Sequence, residues 1–328
     1  MWKTIVRHQV IGALVCLAFV ALLVGVFSAE LPLQSPLGTL ARVLEGLAPQ
    51  IFVCAGLLGL LLAALGARLW AGMVLVLVVL TGGAFALGHR ERSLPLAAEQ
   101  TALRLVFFNI ETQEPSPRKP ARPGEEARAQ RIADALLAAG PDIAVLAESP
   151  MLLPALPRLE AAYPHRVGCT PRCEILVLSR LPLSDVTVKS LGRMWQDRFM
   201  RIGVALADGR QMTLIAAHMS KPWFSGTIER EYEGLEDELN KVSGPLVVVG
   251  DFNAPPWSRP VKDLIDLTGI RAARWPMATW PVPAGAAGVP IDNIFVRGGA
   301  RLTALAPFGA DLGSNHRGLV VGIALPVP

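Results

Sequence analysis

Three runs without a single charged side chain limit most strongly what this chain can fold into. Residues 10–27 (VIGALVCLAFVALLVGVF), 51–67 (IFVCAGLLGLLLAALGA) and 70–88 (WAGMVLVLVVLTGGAFALG) offer water nothing to hold. They approach or reach the roughly 20 residues a helix needs to cross a bilayer, and each predicts a transmembrane helix. Composition agrees: 52% of the 328 residues are hydrophobic and the mean hydropathy is +0.43, more than a soluble chain of this length carries. No neighbouring segment supplies a soluble core in which the middle run could be buried instead. Lys3 and Arg7 precede the first run and Arg68 lies between the second and third, against Arg42, Arg90 and Arg92, so the positive-inside rule, by a narrow margin, places the N-terminus in the cytoplasm and, after three crossings, the remainder outside it. The runs hold no acidic or basic residue that would mark a transport pathway.

The composition changes at His89-Arg90-Glu91-Arg92. Residues 1–92 therefore read as a membrane anchor, 93–100 as a short tether and 101–328 as a second domain. In that domain short apolar runs at 103–108, 143–147, 174–179, 201–207, 212–217, 245–249, 291–296 and 319–325 predict strands. Between them EEARAQRIADALLAAG is helical in composition and stops at Gly140-Pro141, while Ile228, Tyr232, Leu235, Leu239 and Val242 recur at helical spacing. Strands interleaved with helices give an α/β domain. The segment 113–124, with Pro115, Pro117, Pro120 and Pro123 among Arg118, Lys119 and Arg122, predicts a surface loop. Cys16 and Cys54 fall inside the apolar runs, whereas Cys169 and Cys173 bracket a turn in the exported domain and predict a disulfide.

Chemistry-bearing residues gather where predicted strands end. LVFFNIE ends in Asn109 and Glu111, DIAVLAE in Glu148, TLIAAH in His218, PLVVV runs into Gly250-Asp251-Phe252-Asn253, PIDNIFV contains Asp292, and GSNHR carries Asn315 and His316. A strand such as DIAVL would not end in a core-facing carboxylate unless a cation or donor met it. Asn109 and Glu111, two residues apart, share one side of an extended chain, as do Asp251 and Asn253. Oxygen ligands with few soft ones select Mg²⁺ or Mn²⁺ over zinc. The set suits hydrolysis of a phosphate ester, which needs charge stabilisation, an oriented water and a proton for the leaving oxygen.

The order N-x-E, E, H, GDFN, ID and a late H resembles the endonuclease/exonuclease/phosphatase superfamily, which includes pancreatic-type deoxyribonucleases, abasic-site endonucleases, neutral sphingomyelinases and inositol-polyphosphate phosphatases. The resemblance covers roughly residues 101–328. Pro256-Trp257-Ser258 and Thr279-Trp280-Pro281 look most like its bacterial membrane-anchored members. It implies a four-layer α/β sandwich, two packed sheets with helices outside, here preceded by three transmembrane helices. It further implies that Glu148, with Asn109 and Glu111, holds the metal; that Asp251 orients or deprotonates the attacking water; and that Asn253 donates to a phosphoryl oxygen. On the same basis His316, held by Asp292, meets the scissile phosphate, His218 serves the leaving oxygen, and Arg201 touches substrate phosphate. Two positions depart from the pattern: Asn315 stands where a carboxylate is usual, and Asn293 where histidine is frequent.

The expected protein is thus a multi-pass bacterial inner-membrane phosphoesterase with its catalytic domain in the periplasm. A net charge of +4 and a pI near 9.1 suit an anionic substrate, nucleic acid or a phospholipid headgroup. His218 and Arg201 follow the nuclease pattern and give a nuclease a slight lead; the alternative, a lipid-headgroup phosphodiesterase, is favoured by the membrane tether, with Trp223 and Phe224 placed to dip into a bilayer or stack on a base. Asn315 also admits a different class, a degenerate module that binds an anion without turning it over.

Overall fold

The computed structural model describes residues 2–31, 37–111, 124–169 and 174–326. The proline-rich loop, apart from Gly124, and Cys173 lie outside them. The chain divides into two units, Met1–Glu91 with Trp257–Arg259, and Arg92–Pro256 with Pro260–Pro328.

The first unit is built from helices α1 (Trp2–Phe27), α2 (Gly38–Gly46), α3 (Ala48–Ala64) and α4 (Arg68–Glu91). Two helices, Ile5–Glu30 and Arg68–Glu91, are long and apolar enough to cross a membrane, and α2 with α3 makes a third crossing only if the pair, bent by 72°, counts as one span. Among the described residues two of the three expected spans are thus matched by straight helices, and a bent pair stands where the third was expected. The physical reason is at the break: Pro49 occupies the first turn of α3, where its missing N–H costs nothing and a new helix starts readily. The 17 residues of α3 alone reach only about 25 Å, short of a hydrocarbon core of about 30 Å. Packing within the unit uses small residues: a side chain on Gly59 would lie 2.9 Å from Leu75. Leu17, Val53, Leu57, Val79 and Leu80 turn outward and are exposed, an apolar surface suited to lipid.

The second unit is the expected sandwich. Strands β1 (Ser93–Leu94), β6 (Leu183–Lys189), β7 (Phe199–Ala205), β8 (Gln211–His218), β9 (Leu246–Asp251), β10 (Arg271–Ala273) and β11 (Asp292–Arg297) form a seven-stranded sheet in the order β1-β10-β11-β9-β8-β7-β6. Strands β2 (Leu103–Asn109), β3 (Ile143–Ala147), β4 (His165–Gly168), β5 (Ile175–Ser179), β12 (Arg301–Phe308) and β13 (Gly318–Ala324) form a six-stranded sheet in the order β12-β13-β2-β3-β5-β4. At the heart of each sheet lies a parallel pair, β8 beside β9 and β2 beside β3, flanked by antiparallel neighbours.

Alternation along the strands separates the layers. Leu105, Val145, Leu214, Val247, Val249 and Val321 meet in the core between the sheets. The opposite faces carry Val106 and Phe108 against α5 (Glu125–Ala139) and α6 (Leu156–Leu159), and Ile215 and Val248 against α7 (Thr227–Asn240) and α8 (Arg259–Thr268). Helix α5 ends as expected at Gly140, whose φ of 57° lets its N–H bond the carbonyl of Leu136. Ile228, Tyr232, Leu235 and Leu239 are the buried stripe of α7.

The eight expected strands are present, and β1, β4, β6, β10 and β12 join them. The sequence LSDVTVK of β6 is mostly exposed, so no apolar run announced it. Ser93 and Leu94, in the expected tether, pair with Ala272 and Ala273, so the sheet begins two residues after α4 ends.

Gly250 shows how tightly β8 and β9 approach: a Cβ there would lie 1.8 Å from the carbonyl oxygen of Ala217. Gly250→Ala must therefore part these strands, at a cost of about 3 kcal/mol or more, the upper end of ordinary overpacking. Tryptophan-monitored thermal unfolding of the detergent-solubilised full-length protein should show the lowered midpoint; an unchanged midpoint would refute the close approach.

Candidate active site

The two parallel pairs deliver their carboxyl ends to one place. In register, His218 faces Asp251, Asp292 faces Asp251, and Asn109 faces Ala147, the residue before Glu148. Asp251 lies at the centre and is 1% exposed. Its Oδ1 accepts the N–H of Asn253 at 2.8 Å and its Oδ2 accepts Nδ2 of Asn109 at 2.9 Å.

Two histidines converge on Asp251 Oδ2 through Nε2, His218 at 3.7 Å and His316 at 3.9 Å. Each is backed by a carboxylate on its other nitrogen: His316 Nδ1 is 2.9 Å from Asp292 Oδ2, and His218 Nδ1 is 3.0 Å from Glu174 Oε1. For His316 this hydrogen bond fixes which nitrogen the ring presents, while His218 Nδ1 and Glu174 Oε1 meet as a close pair without hydrogen-bond geometry. Glu148 Oε1 stands 3.6 Å from His218 Nε2.

The loop ends are tied together. Ser314 Oγ donates to the carbonyl of Asn109 at 2.7 Å and accepts the N–H of His316 at 3.0 Å. Glu111 donates its N–H to Asn109 Oδ1 at 2.8 Å and accepts the N–H of Asn315 on Oε2 at 2.9 Å. Asn315 thus serves through its backbone, and its side chain is exposed. Asn253 Nδ2 donates to the carbonyl of Met219 at 2.8 Å. Asn293 Nδ2 lies 2.9 Å from the carbonyl of Ala254 and 3.2 Å from those of Pro290 and Ile291, pinning the loop before β11.

The backbone is strained at the same place. Among the described residues six non-glycines have positive φ, and Glu111 (57°), Glu148 (47°) and Asn253 (49°) are three of them. Such conformations cost on the order of 1–3 kcal/mol and gather at functional sites.

Electrostatics follow from burial. Desolvation, then the charge of Asp292, raises the Asp251 carboxyl, with His316 and His218 pulling the other way. Burial disfavours charge on His316, yet Asp292, Asp251 and Glu148 outweigh it and lift its pKa from 6.5 to about 9. Burial also acts against ionised Glu174, but His218 and Arg198 hold its carboxyl below the ordinary value.

The structure therefore brings together Asn109, Glu111, Glu148, His218, Asp251, Asn253, Asp292, Asn315 and His316. Arg201 is not among them: its guanidinium pairs with Glu238 at 3.2 Å and reaches Thr187. Arg201 shares the face of β7 that carries Phe199, and that face packs on α7, where Glu238 sits. Cys169 is disulfide-bonded, while Cys16 and Cys54 are free. Sequence reasoning missed Glu174 and Arg198, whose Nε is 2.5 Å from Glu174 Oε1. A signal was available: β5 runs antiparallel to β3, so the residue just before β5 lies beside the one that follows β3, and Glu148 N donates to the carbonyl of Glu174 at 2.8 Å.

Residues 106–316 match the sequence model of the Endonuclease/Exonuclease/phosphatase family, and the chain belongs to that family. Solved structures with the same fold include an endonuclease/exonuclease/phosphatase from Beutenbergia cavernae, 20% identical over 69% of this chain and 72% of its own, TM-score 0.50. D. rerio TDP2 complexed with a single strand DNA product is 15% identical over 68% of this chain and 98% of its own, TM-score 0.55. A double mutant of beta toxin from Staphylococcus aureus with bound magnesium ions is 15% identical over 68% of this chain and 99% of its own, TM-score 0.52. No curated protein matches the chain in sequence.

The donors fit a divalent cation. Carboxylate and amide oxygens of Glu148, Asp251, Glu111 and Asn109 offer hard ligands, and Asp251, Asp292 and His316 bring ligand atoms within 4.8 Å of one another.

Because His316 is raised above its unfolded value, the stability it contributes is fully present below about pH 6.5 and is lost as pH rises through about 9. In metal-free protein with labelled histidine, NMR should find the His316 ring titrating near 9 and Asp292→Asn should bring it down towards 6.5. A wild-type midpoint already at 6.5 would refute the pairing.

Proposed function

We propose that this protein is a membrane-anchored, Mg²⁺-dependent phosphoesterase, with its catalytic domain outside the cytoplasm. The observation that carries the reading is the pair of carboxylate-backed histidines converging on Asp251 Oδ2 at 3.7 and 3.9 Å. Each member has a task in hydrolysing a phosphate ester. Asp251, its carboxyl raised by burial and Asp292, orients the attacking water and accepts its proton. His316, protonated at neutral pH, donates from Nε2 to a nonbridging oxygen of the phosphoryl group. As the ester bond breaks, His218 gives a proton to the leaving oxygen, with Glu174 holding its far nitrogen. Asn253 has one amide hydrogen engaged by Met219 and the other for substrate. A divalent cation held by Glu148 with Asn109, Glu111 and Asp251 would supply Lewis-acid stabilisation of the developing phosphoryl charge.

The apolar helices support anchoring, and the disulfide at Cys169 suits an oxidising compartment. The preference for nucleic acid loses the support of Arg201, engaged by Glu238; what remains of it is His218, while the apolar helices favour a lipid headgroup ester.

Glu148→Ala and Asp251→Ala should each stay folded and lose at least about a hundredfold in rate on a panel of phosphodiesters and phosphomonoesters at millimolar Mg²⁺. EDTA should reproduce the Glu148 effect. Full activity in either variant would sink the assignment, and anion binding without turnover by the wild type would make the domain a binding module. Separately, a reporter fused after Pro328 should read as extracytoplasmic; a cytoplasmic signal would reverse the topology.

A further inference from the structure

Two loops lead away from the site, residues 190–198 and 219–226, and beyond Arg198 and Met219 they take no part in this chemistry. They leave the site through Arg198, which pairs with Glu174, and through Met219, which follows His218. Arg198 stacks its guanidinium 4.4 Å from the Trp195 ring centroid. Trp195 meets Phe224 edge-on at 5.9 Å, and Phe224 meets Trp223 at 6.4 Å. Lys221 Nζ stands 5.8 Å from the Trp223 ring. Here the aromatic set opens to solvent: Trp223 is 54% exposed and Met194 51% exposed, and Arg193 and Lys221 are exposed beside them.

We infer that these two loops form a contact with the interface of an anionic bilayer, Trp223 and Met194 lying among headgroups and Arg193 and Lys221 meeting lipid phosphates. Exposing two large apolar side chains at neighbouring loop apices costs free energy in water, and the cost disappears at an interface that is apolar on one side and wet on the other. Cations beside such residues are drawn to acidic lipids, each adding about 1 kcal/mol near the surface. The sequence supplies the partner: the inference rests on the membrane anchoring proposed above, and α4, a candidate span, ends at Glu91 with Arg92 alone between it and Ser93, where β1 begins. A single-stranded nucleic acid fits less well. It needs a row of cations along its backbone and flat faces for its bases, whereas Met194 has no face and Arg198 is already paired with Glu174.

The test uses the full-length protein with Cys16→Ser and Cys54→Ser, carrying a nitroxide on Met194→Cys, Trp223→Cys or, as control, Asp208→Cys. Asp208 is exposed in the turn before β8, at the opposite end of that strand from His218. On moving from detergent to vesicles containing phosphatidylglycerol, the ratio of oxygen to nickel-chelate collisions should rise severalfold at 194 and 223 and stay unchanged at 208. The rise should be smaller in pure phosphatidylcholine and after Lys221→Glu with Arg193→Glu. Labels at 194 and 223 that remain as water-exposed as at 208 would overturn the inference. So would labels indifferent to lipid but immobilised by a single-stranded oligonucleotide, which would assign the surface to nucleic acid. The readout needs no turnover, so it stands or falls apart from the proposed activity.

Discussion

Two buried carboxylates face each other across adjacent strands, Asp251 on β9 and Asp292 on β11, and the site is organised around making that tolerable. Like charges directly opposite destabilise a sheet, and with ligand atoms inside 4.8 Å an effective dielectric of about 20 puts the repulsion at roughly 3 kcal/mol. His316 answers it by standing 2.9 Å from one and 3.9 Å from the other. The same pair of charges raises His316 and, reciprocally, is what His316 neutralises. Removing His316 would leave both carboxylates buried without a counter-charge, whereas removing Asp251 leaves Asp292 still paired with His316. A site of this kind is a fold constraint before it is a catalyst.

That constraint also explains what the sequence made legible. Apolar strands ending in Asn109, Glu148, His218, Asp251 and Asp292 stand out because a polar group at the end of a buried run needs a partner, and the partners proved to be one another. Glu174 stayed hidden because the rule was applied to strand ends and it sits just ahead of a strand, which an antiparallel neighbour brings to the same edge. Arg201 misled because its place on β7 was inferred without its face: Met200 and Ile202 point between the sheets, so Arg201 points to α7. Strands β6 and β12 sit at sheet edges and carry exposed side chains at many positions, which removes the apolar signal. In the helical unit the break before α3 lies at Leu47, ahead of the charge-free run 51–67, so that run carried no sign of it.

The two sheets contribute unlike parts of the constellation. Asp251, Asp292 and His218 belong to the seven-stranded sheet, while Asn109, Glu148, Glu174 and His316 lie on strands of the six-stranded sheet or the turns beside them. Contacts between Asn109 and Asp251, Glu174 and His218, and Asp292 and His316 therefore cross from one sheet to the other. Polar contacts of about 3 Å tolerate little sliding, and a misplacement near 1 Å can cost a hundredfold in rate. The interdigitated layer between the sheets, with Ala147, Ala216, Val249 and Ile294 nearest the site end, consequently sets catalytic geometry as well as stability. Strain at Glu111, Glu148 and Asn253 can be held only because that layer and the glycine at 250 leave the backbone no slack, so the packing that makes the domain stable is the same packing that keeps its site from relaxing.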